Sequence, residues 1–365
     1  MVDLKRIVIK LGSSVILKES GELNYECLKS LVREMAELQK MKQIIIVSSG
    51  AIGIGRTVLR IARPRNLSEK QALASVGQAR LIQVYENLFS EYGIKVGQVL
   101  LTREDLQDRY RYLNARNTLF KLLDYGVIPV INENDTVAVE EIKFGDNDTL
   151  SALIASKMDA DLLIILSDVE GVYRDEQRPE LGIFKEISEK NIAEIPVSTD
   201  ASAFGAGGIA TKIEAAKIMI ASGIPMVLAR GDHPHILLTL VEEFRTRRIT
   251  GTWFISGRKL SGRKRWIAFS AEIKGSIVVD NGAAQALRKN KSLLPSGIKE
   301  VEGDFVSGDV VKVLDSSGQE IARGLVYYSS DELRKIAGKQ TCEIESILGY
   351  RDYDEVIHSD NLALL

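Results

Sequence analysis

Cysteine is nearly absent from this chain of 365 residues: Cys27 and Cys342 stand alone, too few and too far apart for a disulfide framework or a cysteine zinc site. Both read as reduced packing residues. Histidine is as scarce, at three, and His233 and His235 flanking Pro234 read as loop residues rather than metal ligands. No run approaches the roughly 18 consecutive apolar residues of a membrane span. The N-terminus, with Asp3, Lys5 and Arg6 ahead of a short apolar strand, lacks a signal-peptide layout. A cytoplasmic, non-membrane protein is the expectation. Nor is one charge in excess: 48 Lys and Arg against 50 Asp and Glu leave a net −2, which argues against a chain-wide commitment to nucleic acid and leaves room for a local basic patch.

What is there is a hydrophobic content of 45% and a length beyond that at which single cores stop growing, so two domains are expected. Residues 6–10 centre on a continuous apolar run, the pattern of a buried parallel strand. Residues 24–41 carry Leu28, Leu31, Val32, Met35 and Leu38 at helical spacing, with Asn24 as N-cap, and 44–47 form a second strand. The alternation continues with a helix from Ser68, whose spacing to Gln71 fits a capping box, and strand 96–101. Helix 110–124 before Gly126, strand 127–131, helix 149–158, strand 162–166, helix 213–222 before Gly223 and strand 224–228 follow. The fold class predicted is α/β, a doubly wound and mostly parallel sheet sandwiched by helices over residues 1–255. Arg258, Lys259, Arg263, Lys264 and Arg265 mark a basic linker at 256–273. Short runs at 276–279, 309–314 and 321–328 then predict a small, mostly β domain over 274–365. Its tail, with Leu333, Ile336, Ile344 and Ile347, is expected to be partly helical.

In sheets of this kind ligands bind beyond the carboxyl ends of the strands, and polar motifs recur there: Gly12-Ser13-Ser14, Ser48-Ser49-Gly50, Asn132 to Asp135 and Ser167-Asp168. Lys10 stands beside the first of these, and Lys212 ends Gly205 to Lys212, a glycine-rich stretch without the Walker A order. Small residues let backbone N–H groups approach an anion, and two lysines supply mobile positive charge for phosphoryl transfer. Each glycine-rich stretch alone also fits a tight turn, as Gly50, Gly53 and Gly55 do, and either lysine alone fits a solvated loop. The carboxylates of Gly145-Asp146-Asn147-Asp148-Thr149 can cap a helix or hold two lysines in place. Asn132-Glu133-Asn134-Asp135 fits a turn, or the recognition of an amino acid by carboxylate and amide groups. Tyr110, Tyr112, Tyr327 and Tyr328 read as packing residues.

Taken together, Lys10-Leu-Gly-Ser-Ser, Val47-Ser-Ser-Gly-Ala-Ile, Val99-Leu-Leu-Thr-Arg, Pro129-Val-Ile-Asn-Glu-Asn-Asp, Gly145-Asp-Asn-Asp, Leu166-Ser-Asp and Gly207-Gly-Ile-Ala-Thr-Lys212 resemble the glutamate-phosphorylating members of the amino acid kinase family. The likeness runs in order through Arg263-Lys-Arg-Trp266, Ser292 to Ile298 and Ile347 to Tyr350, and the C-terminal part resembles a PUA domain, a fold common in RNA-modifying proteins. It implies ATP-dependent phosphorylation of the γ-carboxylate of L-glutamate to L-glutamyl 5-phosphate, the first step of proline synthesis, with Mg2+ accompanying ATP. Carried over by motif, Lys10 and Lys212 contact the phosphates and Asp148 orients them. Ser49, Gly50, Ala51, Asn132, Asp135 and Asn147 bind glutamate. Lys10, Ser167, Asp168, Ala206, Gly207, Gly208, Ile209, Ala210, Thr211 and Lys212 form the ATP site, and no metal ligand is assigned. The resemblance also implies feedback inhibition by proline and assembly into dimers or tetramers.

Two positions depart from the family pattern. Ala206 replaces the usual Thr of Thr-Gly-Gly-Met-x-Thr-Lys, and Ser167 replaces the Thr of a Thr-Asp pair. The first removes a hydroxyl near the phosphates and the second keeps one, so weakened nucleotide affinity with retained activity is expected. ATP saturation before and after Ala206→Thr measures it, and no gain in affinity would contradict it. Two competing functions remain. One is a related kinase acting on acetylglutamate or a nucleoside monophosphate. The other is an RNA-binding or RNA-modifying protein acting through the C-terminal domain and the basic linker, whose binding would weaken steeply with salt.

Overall fold

The structure, a computed structural model, describes residues 4–138, 147–175, 178–192, 195, 208–246, 248–256, 264, 267–268 and 272–364. The chain divides into two compact units, Met1–Leu106 with Tyr110–Lys259, and Gln107–Arg109 with Leu260–Leu365. In the first, β1 (Arg6–Leu11) and the one-turn α1 (Ser13–Ile16) lead to α2 (Tyr25–Gln39), β2 (Gln43–Ser48), α3 (Ala51–Leu59), α4 (Leu67–Ser90) and β3 (Val96–Leu101). Then come α5 (Arg103–Gln107), α6 (Arg109–Asp124), β4 (Ile128–Glu133), α7 (Asn147–Lys157) and β5 (Leu162–Ser167). The unit ends with β6 (Glu186–Ser188), α8 (Ile209–Ser222), β7 (Met226–Arg230), α9 (Ile236–Glu243) and β8 (Thr252–Ile255).

The eight strands form one sheet in the order β3-β4-β2-β1-β5-β7-β8-β6, all pairs parallel except β7 with β8. Central β1 and β5 are buried along their whole length and β2 along nearly all of it. Helices covering both faces of a parallel sheet demand such runs, with no polar alternation. Edge strand β3, with Gly97 and Gln98, is only partly buried. The predicted doubly wound α/β sheet is therefore present.

Several boundaries differ from the sequence expectation. Helix α4 is capped by Asn66, whose side chain accepts from Glu69 N at 2.9 Å, so the Ser68–Gln71 box is not the cap. Helix α7 begins at Asn147 and α8 at Ile209, about half a turn and one turn earlier than apolar spacing alone predicted. The segment Ala51–Leu59, whose glycines suggest a turn, is helical. A Cβ on Gly55 would lie 2.0 Å from the Leu73 carbonyl oxygen, and one on Gly77 1.7 Å from that of Ala51. The glycines thus serve backbone-to-backbone packing of α3 on α4. Gly50 is different: its φ of 97° at the turn from β2 into α3 is a conformation glycine adopts without strain.

Lys157, at the C-terminal end of α7, is buried; its Nζ donates to the Leu106 carbonyl at 2.9 Å and sits 3.7 Å from the Tyr112 ring centroid. Burial pushes its pKa down to about 7. The unfolded chain then binds more protons than the folded one between pH 7 and the ordinary lysine value, so stability rises with pH across that window. The gain from pH 7 to 9 is about 2 kcal/mol. Lys157→Met should abolish this rise, which thermal melts at pH 7 and 9 would read; an unchanged slope would contradict it.

The second unit contains β9 (Ile273–Val279), α10 (Asn281–Arg288), β10 (Ile298–Gly303), β11 (Val310–Leu314), β12 (Glu320–Leu325), α11 (Ser330–Ile336), α12 (Ile344–Leu348) and β13 (Leu362–Leu364). Its sheet order is β10-β9-β11-β12-β13, over a core that includes Ile277, Val279, Val311, Val313, Leu333 and Ile336. The three predicted runs correspond to β9, β11 and β12. Strand β10 was not predicted because Ile-Lys-Glu-Val-Glu-Gly is mostly exposed. Of the basic stretch, Lys264 donates to Asn290 Oδ1 at 3.1 Å, while Arg258, Lys259, Arg263 and Arg265 lie outside the described residues. Two packing assignments need correction: Cys342 is exposed, and Tyr110 is 80% exposed. Among the described residues no helix is long and apolar enough to cross a membrane.

Candidate active site

The sequence placed Lys10 at the end of a predicted strand and Lys212 just ahead of a predicted helix; the structure puts both on regular elements. Lys10 lies on central strand β1, and Lys212 lies in the first turn of α8. Between them stands Asp148, fully buried in the first turn of α7. Lys10 Nζ is 2.6 Å from Asp148 Oδ1, Lys212 Nζ is 3.3 Å from Asp148 Oδ2, and Thr211 Oγ1 donates to Oδ2 at 3.1 Å. The lysine side chains are 4% and 7% exposed. Two buried ammonium groups would repel each other without this shared carboxylate, and an ammonium group carries three N–H donors suited to oxyanions. Above Lys10 the backbone stays thin: Gly12 N donates to Leu166 O at 3.0 Å, and a Cβ on Gly12 would lie 3.7 Å from Lys10 Nζ.

A second cluster adjoins the first through the neighbouring residue. Asn147 Nδ2 lies within donating distance of Ser49 Oγ (2.9 Å), Asn132 Oδ1 (2.9 Å) and Ser48 O (3.2 Å). Asn132, at the end of β4, is buried and also accepts from Glu133 N at 2.9 Å. Gly50 and Ala51 form the turn from β2 into α3, and Asp135 stands in the turn after β4. Ser48 Oγ meets the buried Tyr85 hydroxyl at 2.9 Å, where burial pushes the Tyr85 pKa up.

Ser167 ends β5, which pairs with β1, and its Oγ donates to Asp168 Oδ1 at 2.9 Å. Beyond it, a cleft of about 970 Å³ opens at the carboxyl ends of β5 and β7, lined by Glu170, Tyr173, Lys185, His233, Thr250 and others. That volume suits a small-molecule ligand. Gly208 caps α8, whose first residues are Ile209 and Ala210, while Ala206 and Gly207 lie outside the described residues, as do Gly145 and Asp146.

No three or more His, Cys, Asp or Glu residues come together as a metal cage among the described residues. Asp148 is already engaged by both lysines. The donor set therefore suits a divalent ion carried on nucleotide phosphates better than one held in a protein cage. Inspection of the sequence overlooked Gln78, Tyr85 and the cleft residues Tyr173 and Lys185. Gln78 had a signal, being an amide on the apolar stripe of α4 beside Leu81 and Tyr85.

Residues 5–230 match the model of the amino acid kinase family, and residues 275–348 match the PUA domain. The chain belongs to the amino acid kinase family. Its similar relatives narrow the class further. A glutamate 5-kinase of Caldanaerobacter subterraneus subsp. tengcongensis is 51% identical over 371 residues, covering 99% of this chain and 98% of its own. Another, from a Thermoanaerobacter species, is 48% identical over 367 residues, again 99% of this chain and 98% of its own. Among solved structures, carbamate kinase from Giardia lamblia bound to AMP-PNP is similar with a TM-score of 0.51 at 17% identity, over 70% of this chain and 100% of that one. This last likeness concerns the fold alone.

Proposed function

We propose that this chain catalyses ATP-dependent phosphorylation of the γ-carboxylate of L-glutamate, giving L-glutamyl 5-phosphate and ADP, the first step of proline biosynthesis. The single observation that carries the mechanism is Asp148 held between Lys10 and Lys212 at 2.6 and 3.3 Å in a buried site. A carboxylate nucleophile is already ionised at neutral pH, with an ordinary Glu value of about 4.3, so no strong general base is needed. The obstacle is repulsion between two anions. An oxygen of the γ-carboxylate forms a bond to the γ-phosphorus as the bond to the β–γ bridging oxygen breaks, and ADP leaves with that electron pair. Lys10 and Lys212 neutralise charge on the phosphoryl oxygens as it spreads in the transition state, and Asp148 keeps the two ammonium groups at fixed positions. A divalent ion such as Mg2+, carried on ATP, would supply further neutralisation of phosphate charge.

On the acceptor side, Ser49, Gly50, Ala51, Asn132, Asp135 and Asn147 take glutamate: Asp135 suits its ammonium group, and the amides and hydroxyl suit its carboxylates. On the nucleotide side, Ser167, Asp168 and residues 206–212 take ATP, and the cleft lined by Glu170, Tyr173 and His233 has room for the nucleoside. Catalysis is assigned to residues 1–255, with 256–273 as linker and 274–365 as an accessory domain. A cytoplasmic location, proline inhibition and a dimeric or tetrameric state belong to the same proposal. ADP release with ATP and Mg2+, measured across L-glutamate, acetylglutamate, L-aspartate and UMP, tests it. Turnover with L-glutamate alone supports it, and turnover confined to another acceptor overturns it.

A further inference from the structure

The buried face of α4 carries Leu73, Ala74, Gly77, Leu81, Val84, Tyr85, Leu88 and Phe89, and one amide, Gln78, shares it at 8% exposure. Its orientation follows from a chain of bonds that starts at a backbone group. Glu133 N donates to Asn132 Oδ1 at 2.9 Å, so Asn132 presents Nδ2 on its other side and donates to Gln78 Oε1 at 2.8 Å. Gln78 Nε2 is then left buried and, among the described residues, without a hydrogen-bond partner. An orphaned buried donor lowers stability, so packing alone gives no reason for an amide here. A methionine would fill the same volume and remove this orphan, but it would leave Asn132 Nδ2 without its acceptor.

What Gln78 provides is an acceptor for Asn132. With Nδ2 held, Asn132 Oδ1 stays aimed at Asn147 Nδ2, which also reaches Ser49 Oγ. Neither can Gln78 retreat, because its neighbour Gly77 has the Ala51 carbonyl pressed against it at the start of α3. The amide thus lies at the end of a relay running from Gln78 through Asn132 to Asn147, and Asn147 precedes Asp148 in the chain.

We propose that Gln78 is a positioning residue for the acceptor site: it fixes the rotamer of Asn132, and through it Asn147, and so sets the affinity for the amino-acid substrate without touching it. The proposal rests on the glutamate-site assignment made above. Strain kept at a functional site in exchange for a fixed geometry is a known pattern. It predicts that affinity falls with little change in stability.

The test is a double-mutant cycle of Gln78→Met and Asn132→Ala in the full chain, read by melting temperature and by KM for each substrate. Gln78→Met, which exchanges the unpaired donor on Gln78 for one on Asn132, should melt close to the wild type, raise KM for L-glutamate about tenfold and leave KM for ATP within twofold. A tenfold change corresponds to about 1.4 kcal/mol. Because Gln78 acts only through Asn132, the double variant should be no worse than Asn132→Ala alone. A lowered melting temperature with both KM values shifted together, or effects that simply add, would overturn it. Should the wild type turn over another acceptor instead, the functional assignment falls, and the same cycle run with that acceptor still decides the role of Gln78.

Discussion

Replacing Lys212 by alanine is expected to lower kcat about 10³-fold while leaving KM for L-glutamate within a few-fold, the loss typical of removing one preorganised charge from a transition state. Lys10→Ala should behave alike. The physical reason is that both ammonium groups are almost fully desolvated, where a charge interacts far more strongly than in water. Asp148 keeps one lysine partner in either variant, so the fold should survive, and melting temperature serves as the control. Steady-state kinetics with ATP and L-glutamate would measure the effect. A loss below tenfold for either lysine would remove it from the chemistry.

The second large effect concerns Asp148. In Asp148→Asn the two lysines stay buried and lose their shared counter-charge. Breaking a buried pair by removing one partner costs about 3–5 kcal/mol, so a marked fall in melting temperature should accompany a kcat loss of about 10²-fold or more, as the lysines leave their positions. ATP brings negative charge to the same place. Added ATP with Mg2+ should therefore raise the melting temperature of the variant more than that of the wild type. Equal shifts in both proteins would show that the nucleotide phosphates do not meet these lysines.

How much of this was legible in the sequence depended on which force placed each element. The central strands announce themselves because burial on both faces leaves no polar alternation, as in Ile44, Ile45, Ile46 and Val47. Helix starts were less legible. The first turns of α7 and α8 carry Asn147, Asp148 and Thr211, poor helix formers, and Lys212, a polar residue, all of which an apolar-periodicity reading leaves outside; tertiary ion pairing holds them helical. The same bias disguised α3, where Gly53 and Gly55 looked like turn residues; Gly53 proved to lie against the Leu17 side chain and Gly55 against the α4 backbone at Leu73. The lysines and the Asn132, Asn147 and Ser49 set were visible as motifs, but their juxtaposition was not. It arises from the parallel order β4-β2-β1-β5, which brings residues far apart in the chain to one edge of the sheet. Gln78 went unnoticed because a single amide on a 24-residue helix carries little weight until its partner is seen.

The central claim, that a substrate carboxylate oxygen attacks the phosphorus beside Lys10 and Lys212, is tested most directly with L-glutamate labelled with oxygen-18 in its γ-carboxylate. The enzyme would turn over ATP with hydroxylamine present, which attacks the acyl carbon and releases the phosphate. The account predicts hydroxamate and inorganic phosphate in equal amounts, with one labelled oxygen in each phosphate. Unlabelled phosphate would mean that water had taken the phosphoryl group and that glutamate was never the acceptor.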